Sequence, residues 1–248
     1  MSKSGRFDIV FFDVGNIFIS DDPAALFIYR RLYDWLAGGK RYSPGEYFRL
    51  RAEHIRNGGD LWTFIRAMIP DGIFSQWRME TRRALFANWR AYSPEIPGMA
   101  DAVRRMAPHY RMGLIANQPR DARGVLDEYG LLSLFDIAAI SGELKLDKPH
   151  PGIFRWALEK AGVPAERALM IGDRIDNDIR PAKALGMKTL WLRLNFDQRG
   201  WKPSDEFERC YVESLSDASV SDKEPESSEE TPDYTAMSPE RLVGMLID

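Results

Sequence analysis

Short apolar segments alternate with helical segments through the second half of the chain, and this alternation limits the possible folds. The pattern predicts strands over residues 111–116, 137–140, 168–171 and 188–192, each separated from the next by a helix. Strands and helices that alternate at this spacing form a parallel sheet covered on both faces. Residues 8–13 are short, aromatic and β-branched, and they predict a further buried strand of the same sheet.

Residues 17–96 have a different, helical character. Ser43–Glu46 has the sequence of a capping box with proline at the first helical position, and glycine pairs close two of the predicted helices. The sequence therefore predicts an α/β fold with two domains. Residues 1–16 and 97–248 form a Rossmann-like three-layer core with a parallel sheet, and residues 17–96 form an inserted helical domain.

Composition excludes several classes of protein. Hydrophobic residues make up 44% and charged residues 29% of the 248 positions, so an ordinary core can form, and the net charge of −3 does not favour nucleic-acid binding. The single cysteine, Cys210, excludes an intramolecular disulfide and a zinc site built from cysteines. The first apolar run is too short for a secretion signal or a membrane span. We expect a soluble cytoplasmic protein, with a mobile acidic loop over residues 213–231 and an oligomeric state that the sequence leaves open.

Polar side chains follow the predicted strands at the points where the strands end. In an open parallel sheet, ligands bind at the carboxyl ends of the strands, near the point where strand order reverses. The sequence thus predicts that three carboxylates, an amide and a lysine converge on one crevice. These residues are Asp13, Asn117, Lys148, Asp173 and Asp178.

This set of residue types suits an anion and a magnesium ion. Mg²⁺ binds few carboxylates together with water and phosphate oxygens, and Asp13 and Asp173 can supply those carboxylates. A lysine such as Lys148 balances the clustered negative charge and holds a phosphoryl oxygen. A carboxylate can also attack phosphorus and form an acyl phosphate.

Four segments carry a resemblance to a known family: FFDVGN, GLIAN, LDKPHPGIF and IGDRIDND, in this order. They resemble the motifs of phosphatase-type hydrolases of the haloacid dehalogenase (HAD) superfamily, and the helical stretch lies where the C1 cap of that family lies. The resemblance implies that Asp13 is the nucleophile and that Lys148 holds the nucleophile and the phosphoryl group. It also implies that Asp173 binds Mg²⁺ and that Asp178 holds the metal or its waters.

The resemblance extends to residues beside these motifs. It implies a metal contact from the backbone carbonyl of Gly15, and phosphate binding around Asn16, Ala116 and Asn117. Two positions depart from the family pattern. Gly15 replaces the aspartate that protonates the leaving group, a loss that typically costs about 10²–10⁴ in rate. Ala116 replaces a serine or threonine, which removes one hydrogen bond to the phosphoryl group, worth about 1–3 kcal/mol.

The leading functional hypothesis is Mg²⁺-dependent hydrolysis of a small phosphomonoester through a phospho-Asp13 intermediate. The losses at Gly15 and Ala116 motivate an alternative, a catalytically impaired member that binds a phosphorylated ligand or a protein partner. A further alternative is hydrolysis of a carbon–halogen bond by Asp13. We expect Asp176 to cap the following helix. The sequence identifies neither the substrate nor the source of the leaving-group proton.

Overall fold

The computed structural model describes residues 6–218 and 224–247. Within these residues, six strands form one parallel sheet in the order β3-β2-β1-β4-β5-β6. The predicted parallel α/β sheet is confirmed, and it gains a short sixth strand that the sequence pattern did not reveal. The strands are β1 (Ile9–Phe12), β2 (Arg111–Ala116), β3 (Ile137–Ile140), β4 (Ala168–Gly172), β5 (Lys188–Leu192) and β6 (Tyr234–Ala236).

Strand order reverses beside β1, which lies between β2 and β4. All four residues of β1 are buried, because the strand has a paired neighbour on each side and helices flank the sheet. The chain runs outward from β1 through β2 and β3, then returns to place β4 on the other side of β1. Ligand sites of open α/β sheets lie at such reversals. Asp13 follows β1 at this point, and its backbone N–H donates to the carbonyl of Ile171 in β4.

The described chain groups into two compact units. The α/β unit comprises residues 6–20, 95–200 and 224–247, and the helical unit comprises residues 21–94 and 201–218. No described helix is long and apolar enough to cross a membrane. The helices are α1 (Asp22–Trp35), α2 (Pro44–Arg56), α3 (Leu61–Met68), α4 (Asp71–Phe86), α5 (Met99–Met106), α6 (Ala122–Glu128), α7 (Ser141–Leu144), α8 (Pro151–Ala161), α9 (Arg180–Ala184), α10 (Glu206–Asp217) and α11 (Pro239–Ile247). Of these, α1–α4 and α10 belong to the helical unit and the others to the α/β unit.

The boundaries of the helical insertion differ from those predicted. Residues 17–20 belong to the α/β unit, because Ile19 forms a parallel bridge with Gly15 and an antiparallel bridge with Glu95. Phe18 is fully buried, and its ring lies 5.6 Å from the rings of both Phe12 and Phe135. An apolar segment with these contacts continues the α/β core beyond the predicted boundary.

A second correction concerns residues 201–218, which the sequence pattern assigned to the core. They group with the helical unit because α10 contributes aromatic side chains to its interior. Phe207 packs 4.7 Å from Phe48, and Tyr211 packs 5.9 Å from Tyr29, measured between ring centroids. Arg51 on α2 donates to the carbonyl of Ala218 at 2.9 Å, which satisfies a backbone acceptor at the end of α10.

The predicted acidic loop is wrong for residues 213–217, which form the last part of α10. Residues 219–223 lie outside the described part of the chain. Residues 224–230 are held to the α/β unit by ion pairs, with 2.6 Å between Glu224 and Arg193 and 3.1 Å between Glu230 and Arg180. The composition signalled a segment unable to form a core, but basic side chains of the α/β unit hold part of it.

The interior of the sheet leads to a prediction at Gly113. A Cβ atom built on Gly113 of β2 would lie 2.7 Å from the buried ring of Phe11, so we expect Gly113→Ala to cost about 1–3 kcal/mol of the free energy of unfolding through overpacking. Gly124→Ala is the matched control, since a Cβ there has no neighbour within 4 Å and lies inside α6. Chemical denaturation should show a gain of about 0.5–1 kcal/mol for Gly124→Ala. Equal stability of the two variants would contradict this packing.

Candidate active site

Three carboxylates meet at the point where strand order reverses. Asp13 follows β1, Asp173 follows β4, and Asp178 lies at the end of the next turn. One oxygen from each carboxylate lies within 4.8 Å of the others. Asp173 and Asp178 are buried, and Asp13 keeps a side-chain exposure of 12%. The predicted convergence of these residues is therefore present in the structure.

Lys148 lies between two of these carboxylates. Its Nζ atom is 2.7 Å from Oδ1 of Asp13 and 2.6 Å from Oδ1 of Asp178. The side chain of Lys148 is only 1% exposed, so water does not screen these contacts as it would at the surface. One buried ammonium group therefore contacts two of the three carboxylates.

Burial and the neighbouring charges shift the pKa values of the cluster. Burial raises the pKa of Asp13; the charge of Lys148 opposes the shift, and the charge of Asp173 adds to it. Burial likewise raises the pKa of Asp178 to about 6, again opposed by Lys148. Burial alone would lower the pKa of Lys148, but Asp13 and Asp178 together outweigh it and raise that pKa. Lys148 thus stays charged. A bound cation would favour the ionised forms of Asp13 and Asp178, which burial disfavours.

A π-helical turn over Ile175–Ile179 brings Asp178 back toward the end of β4. The carboxylate of Asp178 accepts a hydrogen bond from the backbone N–H of Arg174 at 3.1 Å. A Cβ atom on Gly172 would lie 2.3 Å from Cγ of Asp178, so only glycine leaves room for the carboxylate there. The glycine in the segment IGD therefore has a steric role in the site.

Asp176 does not lie at the N-cap position predicted for it. It lies inside the π-helical turn and forms a two-pronged ion pair with Arg174, at 3.0 Å and 2.6 Å. Burial favours a higher pKa for Asp176, but the bonds from Arg174 outweigh it and lower that pKa. The pairing neutralises the charge of Asp176.

The two asparagines expected near a phosphate both contact other site residues. Asn16 has a left-handed backbone, with φ of 51°, and its Nδ2 donates to Oδ2 of Asp173 at 3.2 Å. The carboxamide of Asn117 bonds to the backbone of Lys148 at both ends. Gly15 lies in the turn after Asp13, and Ala116 is fully buried at the end of β2.

Trp191 was not singled out from the sequence. Its indole Nε1 donates to the backbone carbonyl of Asp173 at 2.8 Å, and its ring packs with Ile175 and Ile179. This contact fixes the loop that carries Asp173. Trp191 lies on the adjacent strand β5, outside any sequence motif, so only the folded structure reveals its contact with Asp173.

The fold and the site define an α/β protein of Rossmann-like topology with an acidic, lysine-containing cluster at its switch point. The model of the haloacid dehalogenase-like hydrolase family matches residues 7–186. Since this span covers most of the chain, the protein belongs to the haloacid dehalogenase-like hydrolases.

Named relatives include phosphatases. The chain is 38% identical over 109 residues to a glyceraldehyde 3-phosphate phosphatase of Pyrococcus abyssi, which covers 42% of this chain and 44% of that protein. It is 34% identical over 129 residues to a phosphoserine phosphatase of Thermus thermophilus, covering 51% of this chain and 49% of that protein. The chain thus spans about half the length of these curated relatives.

Solved structures share the fold over nearly the whole chain. A HAD phosphatase from Thermococcus onnurineus superposes with a TM-score of 0.59, at 19% identity, over 96% of this chain and 97% of that one. At this identity the likeness concerns the fold alone.

The repulsion between Asp173 and Asp13 leads to a prediction for metal-free protein. Asp173→Asn removes one charge that disfavours ionisation of Asp13, so we expect the variant to gain roughly 0.5–2 kcal/mol of unfolding free energy at pH 7.5 in EDTA. The gain should shrink as pH falls, because Asp13, whose pKa is raised, then takes up a proton and its repulsion with Asp173 is lost.

Asp176→Asn is the matched control, because it breaks a favourable ion pair with Arg174 instead. That pair is partly exposed, and its loss should cost no more than about 1 kcal/mol. Denaturation curves at several pH values measure both variants. Destabilisation of Asp173→Asn at pH 7.5 would contradict the proposed repulsion.

Proposed function

We propose that this protein is a Mg²⁺-dependent phosphatase that hydrolyses a small phosphomonoester through a phospho-aspartate at Asp13. The observation that carries the proposal is the buried contact of Lys148 with Asp13 and Asp178, beside Asp173 at the switch point of the sheet. Membership of the haloacid dehalogenase-like hydrolases and the phosphatases among the relatives support it.

The donor set fits a magnesium ion. Asp13, Asp173 and Asp178 offer hard oxygen ligands that lie within 4.8 Å of one another. These three carboxylates would hold the ion, with the backbone carbonyl of Gly15 as a further ligand by resemblance to the family. When bound, Mg²⁺ would supply positive charge to the carboxylates and to the phosphoryl oxygens.

In the first half of the reaction, a carboxylate oxygen of Asp13 attacks phosphorus. The new bond joins Asp13 to phosphorus, and the bond from phosphorus to the ester oxygen breaks with its electron pair on that oxygen. Lys148 holds the carboxylate in place and neutralises charge that develops on the phosphoryl group. Gly15 carries no proton for the leaving oxygen, so that proton comes from water or another group.

In the second half, water attacks the phosphorus of phospho-Asp13. The bond between Asp13 and phosphorus breaks, inorganic phosphate is released, and the carboxylate is regenerated. One proton of the attacking water leaves the site during this step. The net reaction converts a phosphate monoester and water into an alcohol and inorganic phosphate.

The helical unit has the position in the chain that the C1 cap has in this family. We assign it the role of the cap, which selects the substrate, and include α10 in that assignment because α10 packs within the same unit. A small phosphorylated metabolite is the proposed substrate class. The chemistry favours substrates whose leaving oxygen needs no protonation, such as aryl phosphates.

The alternative of a catalytically impaired binding protein rests on Gly15, on the buried methyl of Ala116, and on the engaged carboxamide of Asn117. Such a protein would bind a phosphorylated ligand at Lys148 without hydrolysing it. Measurement of phosphate release distinguishes the phosphatase from the binding protein.

Hydrolysis of a panel of aryl and sugar phosphates tests the proposal, with Mg²⁺, with EDTA, and with Asp13→Asn as the blank. We expect Mg²⁺-dependent release of phosphate, reduced to background in Asp13→Asn because the nucleophile is lost. Lack of turnover on every ester would favour the binding protein. Turnover of a haloacid in EDTA would favour carbon–halogen hydrolysis.

Gly15→Asp tests the role of the missing acid. We expect the variant to raise kcat on sugar phosphates by about 10²-fold, because their alkoxide leaving groups need a proton, and to change aryl phosphate hydrolysis little. Gly15→Asn is the control, with similar size and no carboxylic acid. Equal kcat values for Gly15→Asp and wild type on sugar phosphates would argue against the missing acid.

A further inference from the structure

The carboxamide of Asn117 bonds to a single residue, Lys148, through both of its polar atoms. Nδ2 of Asn117 donates to the backbone carbonyl of Lys148 at 2.8 Å, and Oδ1 accepts from the backbone N–H of Lys148 at 2.7 Å. Together these bonds resemble one rung of a β-ladder, formed by a side chain in place of a strand. Asn117 is exposed as a whole residue, yet the polar atoms that could reach a phosphate are already engaged.

We propose that Asn117 is a positioning residue that fixes the backbone of Lys148, and through it the ammonium group between Asp13 and Asp178. The inference rests on the proposed function of Lys148 as the group that holds the nucleophile and the phosphoryl group. It replaces the expectation that the Asn117 side chain binds phosphate.

The need for such a residue follows from the chemistry of lysine. Four rotatable bonds separate Cα from Nζ, so the place of Nζ depends on where the backbone is held. Lys148 lies between β3 and α8, in a segment whose other hydrogen bonds include local ones such as His150 N–H to the carbonyl of Asp147 at 2.9 Å. Leu146 packs on the core and anchors the segment before the lysine.

Asn117 adds a link from the central part of the sheet. It directly follows β2, which pairs with β1, and Asp13 directly follows β1. The positions of the proposed nucleophile and of the lysine backbone are therefore both tied to the paired strands β1 and β2. A displacement of about 1 Å in such a site can cost on the order of 10²-fold in rate.

Amide hydrogen exchange, followed by NMR in the substrate-free protein, tests the contact directly. We expect exchange of the Lys148 amide to accelerate by about 10-fold or more in Asn117→Ala, because its acceptor is lost. In Asn117→Asp the acceptor oxygen remains, so the Lys148 amide should stay protected. Unchanged exchange of the Lys148 amide in Asn117→Ala would overturn the inference.

Asp233→Ala is the matched control. Asp233 also accepts from a backbone N–H with its side chain, at 3.0 Å from Thr189, but it lies away from the cluster on the segment before β6. Its loss should accelerate exchange at Thr189 and leave the Lys148 amide unchanged. Faster exchange at Lys148 in Asp233→Ala would show general loosening of the unit and would overturn the specific role.

A double-mutant cycle tests whether Asn117 acts through Lys148, with p-nitrophenyl phosphate and Mg²⁺. We expect Asn117→Ala to lower kcat by about 10- to 100-fold. The double variant with Lys148→Met should be no slower than Lys148→Met alone, since the positioned group is already gone. Additive losses would show an independent contact with the substrate and would overturn the inference.

If wild type turns over no ester, the proposed function fails and acetylation of Lys148 Nζ decides the inference separately. The side chain of Lys148 is 1% exposed and paired with two carboxylates, so wild type should resist an amine-reactive acetyl donor. Mass spectrometry should find Lys148 acetylated more rapidly in Asn117→Ala than in Asp233→Ala. Equal acetylation of the two variants would overturn the positioning role.

Discussion

The ion pairs of Lys148 with Asp13 and Asp178 are the interaction on which the site depends. Burying a lysine costs free energy unless carboxylates compensate it, and burying carboxylates requires a cation in return. Nζ distances of 2.7 Å and 2.6 Å satisfy both needs at once. The third carboxylate, Asp173, lies within 4.8 Å of the other two, and three carboxylates this close together suit a cation.

The topology of the sheet makes that interaction possible. Asp13 follows β1 and Asp173 follows β4. These strands are neighbours, and the strand order of the sheet reverses between them. Local contacts then fix the positions of Asp173 and Asp178. Asn16 donates to Asp173, the indole of Trp191 holds the Asp173 carbonyl, and Gly172 leaves space for Asp178. Single hydrogen bonds and one glycine, contributed by several elements, thus shape the site.

The sequence predicts the strands and the convergence of the charged side chains, because their signals are local. The apolar run before Asp13 and the segment containing Asp173 and Asp178 each combine a buried strand with polar residues at its end, and topology brings such ends together. The return of α10 to the helical unit carries no local signal, since its partners Phe48 and Tyr29 lie more than 150 positions away in the chain.

The role of Asn117 is hidden from the sequence for the same reason. An asparagine at the end of a strand suits both a phosphate and a backbone, and only the fold shows that its carboxamide meets Lys148. The sequence likewise predicts a helix cap at Asp176, where the structure has an ion pair. Its partner Arg174 is two residues away, but the π-helical turn that joins them does not follow from helix propensity.

Identification of the phosphorylated residue during turnover tests the central claim most directly. The protein would be mixed with an aryl phosphate and Mg²⁺, quenched in acid within one turnover, and digested for mass spectrometry. A phosphoryl group on Asp13, absent from Asp13→Asn, is the predicted result. Turnover with phosphate on another residue, or with no phosphorylated peptide under conditions that preserve acyl phosphates, would contradict the assignment of Asp13 as nucleophile.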